Sequence, residues 1–411
     1  MPRKIIFKVV ALILLAVAIR MKCNTVVLAN PSTILVPSQY DTIQKAINAA
    51  NPGDVIKVTH GTYCENLNVN KSVSIIGEDP KNTIIDGGGN GNVINVLKPN
   101  VKISGFTIQN GKIWPYCGIS ISRCNYTVIN NTILRNNYYG LQLTKSNNSR
   151  IFNNLILNNS YAGMYIHESS SANVFFENTI KDNFIGLWSQ NSQSNIFYHN
   201  NFVNNTNQAL IDISMIWDNG EEGNYWSDYE GIDVDLNGIG DSEYPIAGDK
   251  DKYPLMGAFA NFTFLYDSEE YSLPTICNST ISNFQFDKLH EKISFDILGP
   301  NATIGFCRIT IPTVLIQRKC IILVDDRVPI IRNWTASTYG YRYFLYGNTG
   351  LVRKITIEFE LPGKGTPPSL LIPILIVSSV VIVVLILTIF KLTIFKKGKW
   401  ERKFKVSKSR V

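Results

Sequence analysis

Charge is scarce along this chain, and so is histidine. Asp, Glu, Lys and Arg make up 17% of the 411 residues, and only four residues are histidine. Those four (His60, His167, His199 and His290) are scattered, and no close cysteine pair occurs twice, so no zinc framework is written here. Helical periodicity is nearly missing as well. Between the two apolar ends of the chain its one clear instance is Gln39 to Gly53, where Ile43, Ala46, Ile47 and Ala50 recur at helical spacing. Asp41 can cap that helix, and the Asn51, Pro52, Gly53 run stops it. The formal net charge of +7 is local to the ends. With nine basic and one acidic residue of the C-terminal tail and five basic residues of the leader set aside, 25 basic residues face 31 acidic ones. An acidic middle argues against a nucleic-acid-binding surface.

What the chain does have is a repeat. Gly118, Gly140, Gly163, Gly186 and Ala209 each open a similar short run, at steps of 22, 23, 23 and 23 residues. Asn131, Asn154, Asn178 and Asn201 run in phase with them. A period in the twenties with strand-sized apolar runs and no helical return is the mark of stacked β-coils rather than leucine-rich repeats. Stacked parallel strands lie about 4.8 Å apart, so equivalent residues of successive coils stand above one another. Ile119, Leu141, Met164 and Leu187 then form one interior column, and Ile121, Leu143 and Ile166 a second. The asparagines are expected to cap the core at a corner, amide over amide. Tyr116, Tyr138, Tyr161 and Phe184 make an aromatic column that reads as scaffold.

The ends and the second half read differently. Residues 1–29 have a basic start, a short apolar run and small residues at Val27 to Ala29, the pattern of a signal peptide. Leu370 to Phe390 is 21 residues without a charge, long enough to span a bilayer as a helix, and the basic 391–411 tail places its C-terminal side in the cytoplasm. Residues 258–361 show alternating runs (292–297, 307–311, 320–324, 341–345 and 355–359) and are expected to form an Ig-like β-sandwich, with 362–369 as a stalk. If Cys23 leaves with the leader, six cysteines remain, which permit fifteen pairings, and disulfides or buried thiols are the expectation. Ten Asn-x-Ser/Thr sequons, among them Asn70, Asn125, Asn204, Asn261 and Asn333, mark glycosylation candidates for an exported glycoprotein.

Two blocks carry a resemblance. Tyr40 to Val58 followed by His60 to Glu65 looks like the opening of pectin-lyase-like right-handed parallel β-helices. Gly223 to Tyr229, Asp233 to Pro245 and Asp251 to Met256 resemble the end of NosD-like β-helix proteins. The resemblance covers roughly residues 35 to 257 and implies a right-handed parallel β-helix over 30–257. It also implies a role in assembling a copper site. The residues do not supply the soft Met/Cys/His cluster such a role needs, so copper is not expected.

Three groups of residues bear on chemistry. Asp233, Asp235, Asn237, Ile239 (through its carbonyl) and Asp241, with Gly238 at the sixth position, have the alternation of a Ca²⁺ loop, although Tyr244 stands where an EF-hand places its bidentate Glu. Paired carboxylates for glycan cleavage are missing. The column Arg123, Lys145, Glu168, Asn191 and the column Arg135, Asn158, Asp182, Asn205 each carry one acid, and strand alternation sets His167 and Glu168 on opposite faces. No position matches the catalytic constellations of pectin methylesterases or polygalacturonases, and no catalytic residue is assigned. Tyr165 and Trp188 are expected as exposed neighbours on successive coils, with Gln142 and Glu168 close by, a set suited to a sugar. The sequence thus reads as an exported, single-pass, surface-anchored and non-catalytic β-helix protein with an envelope, adhesion or carbohydrate-binding role. The alternatives are a polysaccharide lyase or hydrolase and, after that, a NosD-type periplasmic accessory factor for copper-site assembly.

Overall fold

The computed structural model describes residues 30–312, 315, 320–335 and 340–359. The expected leader 1–29, stalk 362–369, span 370–390 and tail 391–411 lie outside these residues. Among the described residues no helix is long and apolar enough to cross a membrane. Apart from Cys320 and Phe359, the described residues belong to one compact unit.

The first part is a parallel β-helix of the right-handed type with three sheets. The first sheet has eight strands from Thr33–Val36 to Ile196–Tyr198, the second eight from Gly61–Cys64 to Tyr225–Trp226, and the third seven from Leu67–Val69 to Asn207–Ile211. In the third sheet Ile119 pairs with Leu141, Leu141 with Met164, and Met164 with Leu187. All four side chains are fully buried, so the interior columns stand as the repeat implies.

Burial of polar corners is solved by three ladders. Asn154, Asn178, Asn200 and Asn224 each donate an amide N–H to the next side-chain oxygen at 2.9–3.3 Å, and the last acceptor is Asp251. Thr132 takes the place of asparagine in the coil before. Asn137, Asn159, Asn183 and Asn205 form a second ladder, and Asn173 with Asn195 a third. The expected asparagine column is corrected at both ends: Asn131 is exposed and Asn201 pairs elsewhere, while Thr132 and Asn200 occupy the ladder. Successive ladder positions are 22, 24, 22 and 24 residues apart, so stepping from one like residue to another slips by one.

The marker glycines follow from the same ladders. A Cβ on Gly140 or Gly163 would lie 2.6 or 2.8 Å from the carbonyl oxygen of the glycine in the next coil, and 2.9 or 3.0 Å from a ladder amide. No side chain fits there.

Both ends of the coil are lidded. Helix α1 (Ile43–Ala49) buries Ile43, Ala46 and Ile47 over the first coil, and Thr42, not Asp41, is its N-cap. The Glu65 carboxylate accepts the N–H groups of Ile43 and Gln44, both at 2.9 Å, so the acid of the opening motif neutralises the start of the lid. At the other end Phe202, Trp226 and Tyr244 stack at 4.4 Å intervals, and Trp217 covers Phe197. The indole N–H of Trp217 donates to Asp249 and that of Trp226 to Asp251.

From Ala258 onward the chain forms two antiparallel sheets, one of five strands and one of four. Phe262 of the first sheet stacks on Phe284 of the second, and Phe264 packs against Phe286 with the rings tilted. The hairpin Ala258–Tyr266 with Glu269–Cys277 and the strand Thr280–Asp287 are additional to the runs read from sequence.

Candidate functional site

The outer surface of the third sheet gathers most of the residues singled out for ligand binding. Tyr139, Ala162, Ile185 and Cys117 are buried there beneath Tyr138, Tyr161, Tyr165 and Trp188. Tyr165 lies 4.3 Å from Trp188 with the rings nearly parallel, and 5.0 Å from Tyr139. Its hydroxyl donates to Gln190 at 2.8 Å. Tyr138 stacks on Tyr161 at 5.2 Å, the arrangement expected of a scaffold column. Tyr165 and Trp188 are half-buried, not exposed, because rings one coil apart cover each other's faces.

Beside this aromatic row runs a polar one. Thr144 lies next to His167 in the sheet register, and its hydroxyl is 2.8 Å from His167 Nε2. The Gln142 amide is 3.1 Å from the same nitrogen, and the Tyr165 ring stacks on the imidazole at 4.3 Å. Burial pushes the imidazole below its ordinary value, against the pull of Glu168. Glu168 is 3.7 Å from His167 Nδ1 and 3.1 Å from Lys145, which holds its carboxyl below the usual range.

The expected opposition of His167 and Glu168 is therefore overturned. Glu168 has φ 54°, and Arg123 (54°), Lys145 (51°) and Asn191 (49°) share that conformation, which makes this column a left-handed corner that folds Glu168 back toward His167. The other acid-bearing column is Asn136, Asn158, Asp182, Asn204, also left-handed throughout, so Arg135 and Asn205 are one residue off it. Asp182 sits beside Lys181 at the opposite corner of the third sheet from Glu168. Sequence reading missed Thr144, Gln190 and the outward role of His167. The signal was there, since His167 is two residues after Tyr165 on the same strand. It also missed a second ladder, Phe152, Phe176 and Tyr198 on the outside of the first sheet, with Arg150 over the first two rings.

The Asp233–Asp241 segment forms a loop knitted by its own groups. Asp233 accepts the N–H of Asn237 and of Gly238, Asn237 accepts that of Ile239 and donates to Asp235, and Asp241 accepts the N–H of Val234. Burial, with Asp235 alongside, raises the Asp233 carboxyl. Among the described residues no three His, Cys, Asp or Glu side chains are grouped to hold a metal ion.

The histidines are each engaged separately. His60 pairs with Glu78, His199 with Glu222 and His290 with Asp287, while Met164 lines the coil interior.

Solved structures similar to the chain include an alginate lyase from Paenibacillus sp. str. FPU-7, 17% identical at a TM-score of 0.33, with 47% of this chain and 76% of that one covered. Carrot pectin methylesterase is 12% identical at a TM-score of 0.35, over 48% and 72% of the two chains. The tailspike gp49 of Acinetobacter baumannii bacteriophage Fri1, a capsular polysaccharide depolymerase, is 8% identical at 0.23, over 82% and 86%. Likenesses this remote carry nothing about the site. No curated protein matches the sequence. The family model described as periplasmic copper-binding protein (NosD) matches residues 23–231, just over half of the chain. This protein belongs to the NosD family.

Proposed function

We propose that the chain presents a carbohydrate-binding surface outside the cell, on the third sheet of its β-helix, and binds without turning its ligand over. One observation carries this reading: the stacked aromatic pair Tyr165 and Trp188, seated on buried Tyr139, lies directly beside amide, hydroxyl, imidazole and ion-pair groups (Gln142, Thr144, His167, Gln190, Lys145–Glu168). Sugars present apolar C–H faces next to hydroxyl groups, and such paired rows answer both. The leader at 1–29 would export this surface, and the span at 370–390 would hold it at the envelope.

On a glycan array, Trp188→Ala is expected to weaken binding about tenfold or more, the loss of one well-packed aromatic contact. Equal binding by wild type and variant would remove the site.

A second reading, hydrolysis on the same surface, draws on the alignment of His167 between Thr144 and Glu168. Release of new reducing ends by wild type, lost in Glu168→Gln or His167→Asn, would establish it over the first.

We further propose that the Asp233–Asp241 loop takes a structural Ca²⁺. Burial, with Asp235 beside it, raises the Asp233 carboxyl, and a cation bound in the loop would favour the ionised form against both. Calcium is expected to raise Tm by about 2–4 °C in wild type and not in Asp233→Asn. No calcium effect in wild type would end that proposal.

A further inference from the structure

The two antiparallel sheets hold a cysteine pair whose placement is specific. Cys277 ends the strand Glu269–Cys277, Cys307 lies in Ile304–Ile311, and the two are direct partners across an antiparallel pair. Directly opposed residues in such a pair have Cα atoms about 4.5–5.5 Å apart, inside the range that a disulfide spans. Their side chains also point the same way. Both sulfurs approach one hydroxyl, that of Tyr346, at 3.3 Å from Cys277 and 3.9 Å from Cys307. The two residues are 1% and 0% exposed, with Ser279 as the further partner of Tyr346. The other described cysteines are placed differently. Cys64 is exposed, Cys117 and Cys124 are buried on the coil, and Cys320 belongs to the opposite sheet.

We propose that Cys277 and Cys307 are joined by a disulfide in the exported protein. Both are thiols in this structure. Joining them releases two protons and two electrons, which must pass to a disulfide-bearing oxidant. The thiolate of one cysteine attacks that oxidant to give a mixed disulfide, the second displaces it, and the oxidant departs as a dithiol. Exchange precedes burial, because once the sheet closes neither sulfur is open to a reagent, and burial pushes the Cys307 thiol well above its ordinary value. Cys307 is adjacent to Arg308, which reaches from this strand to the β-helix, so the cross-link fixes the strand that makes that contact.

The test uses the full chain exported into an oxidising compartment and purified without reductant. Denaturation in an alkylating agent followed by proteolysis is expected to yield the Cys277 and Cys307 peptides joined, unalkylated and lighter by two hydrogens. Reductant is expected to lower Tm by about 5 °C or more, and to shift nothing in Cys277→Ala/Cys307→Ala. Alkylation of both thiols, or either one joined to a different cysteine, overturns the proposal. So does an equal effect of reductant on the double variant. Mapping of the wild type decides the question even where the double variant does not fold.

Discussion

Asp251→Ala is expected to cost about 3–5 kcal/mol of stability, because it leaves several buried donors without an acceptor. One carboxylate oxygen takes the N–H of Asn224 at 2.8 Å, the indole N–H of Trp226 at 3.0 Å and the Asn224 amide at 3.3 Å; the other takes the N–H of Tyr253 at 3.0 Å. The ladder has a direction, each amide nitrogen giving to the next oxygen, so its last member must be a group that accepts and need not give. A carboxylate meets that condition. An asparagine in its place would turn an amide N–H toward one of these donors, so Asp251→Asn is expected to lose less than the alanine variant but not to be neutral. Chemical denaturation of the full chain measures both, and an alanine variant within about 0.5 kcal/mol of wild type would refute this account of the ladder.

The same residue sets a pH slope. Burial pushes the Asp251 carboxyl up to about 6 from 3.8, only partly offset by the Trp226 and backbone donors. Between those values the folded chain holds a proton that the unfolded chain has lost, so this group adds stability as pH falls from about 6 toward 3.8. The slope should vanish in Asp251→Asn.

The motifs that reveal the family are therefore lid and ladder parts. Glu65 seats the first helix, Trp226 closes the far end, and Asp251 holds its indole. This is why the sequence displayed its architecture so openly and its ligand so little. A column of leucines is legible because every coil must fill the same interior, and the pairing of Leu141, Met164 and Leu187 follows from the period alone. The asparagine ladder was legible in kind but not in register, since coils of unequal length shift like residues by one. The Glu168 corner was misjudged because alternation holds only while φ stays negative, and Arg, Lys and Glu in three of the four coils do not announce a left-handed turn as the Asn191 of the fourth does. The hairpin at Asp267 and Ser268 escaped for a related reason. Both have positive φ, yet the pair lacks the glycine that usually marks such a turn. On the outer face, whether two aromatic neighbours offer their rings to solvent or to each other depends on side-chain torsions that no spacing fixes.

Arg308→Ala is expected to be as damaging as the loss of Asp251, and for an electrostatic reason. Arg308 is 4% exposed and bonds from the antiparallel sheet to Glu222 at the end of the β-helix, and to the carbonyl of Asn237 at 2.9 Å in the acidic loop. Glu222 also pairs with His199 at 2.7 Å, whose ring stacks on Phe259 at 3.9 Å. Asn201 and the Phe259 backbone exchange two further hydrogen bonds, at 2.7 and 2.9 Å. Burial alone would raise the Glu222 carboxyl, but His199 and the Arg308 guanidinium outweigh it and pull it down to about 2 from 4.5. That lowering is stability present above pH 4.5 and lost as pH falls toward 2. Removing Arg308 strips one partner from a buried acid, a change that costs about 3–5 kcal/mol. Lysine keeps the charge without the planar fork and cannot reach both Glu222 and the Asn237 carbonyl as one rigid group, so Arg308→Lys should recover only part of the loss. If the ion pair is what docks the sheets on the coil, Arg308→Ala and Glu222→Gln together should cost less than the sum of the two single changes. Additive losses in that double-mutant cycle would mean that Phe259 and Asn201 hold the joint without it.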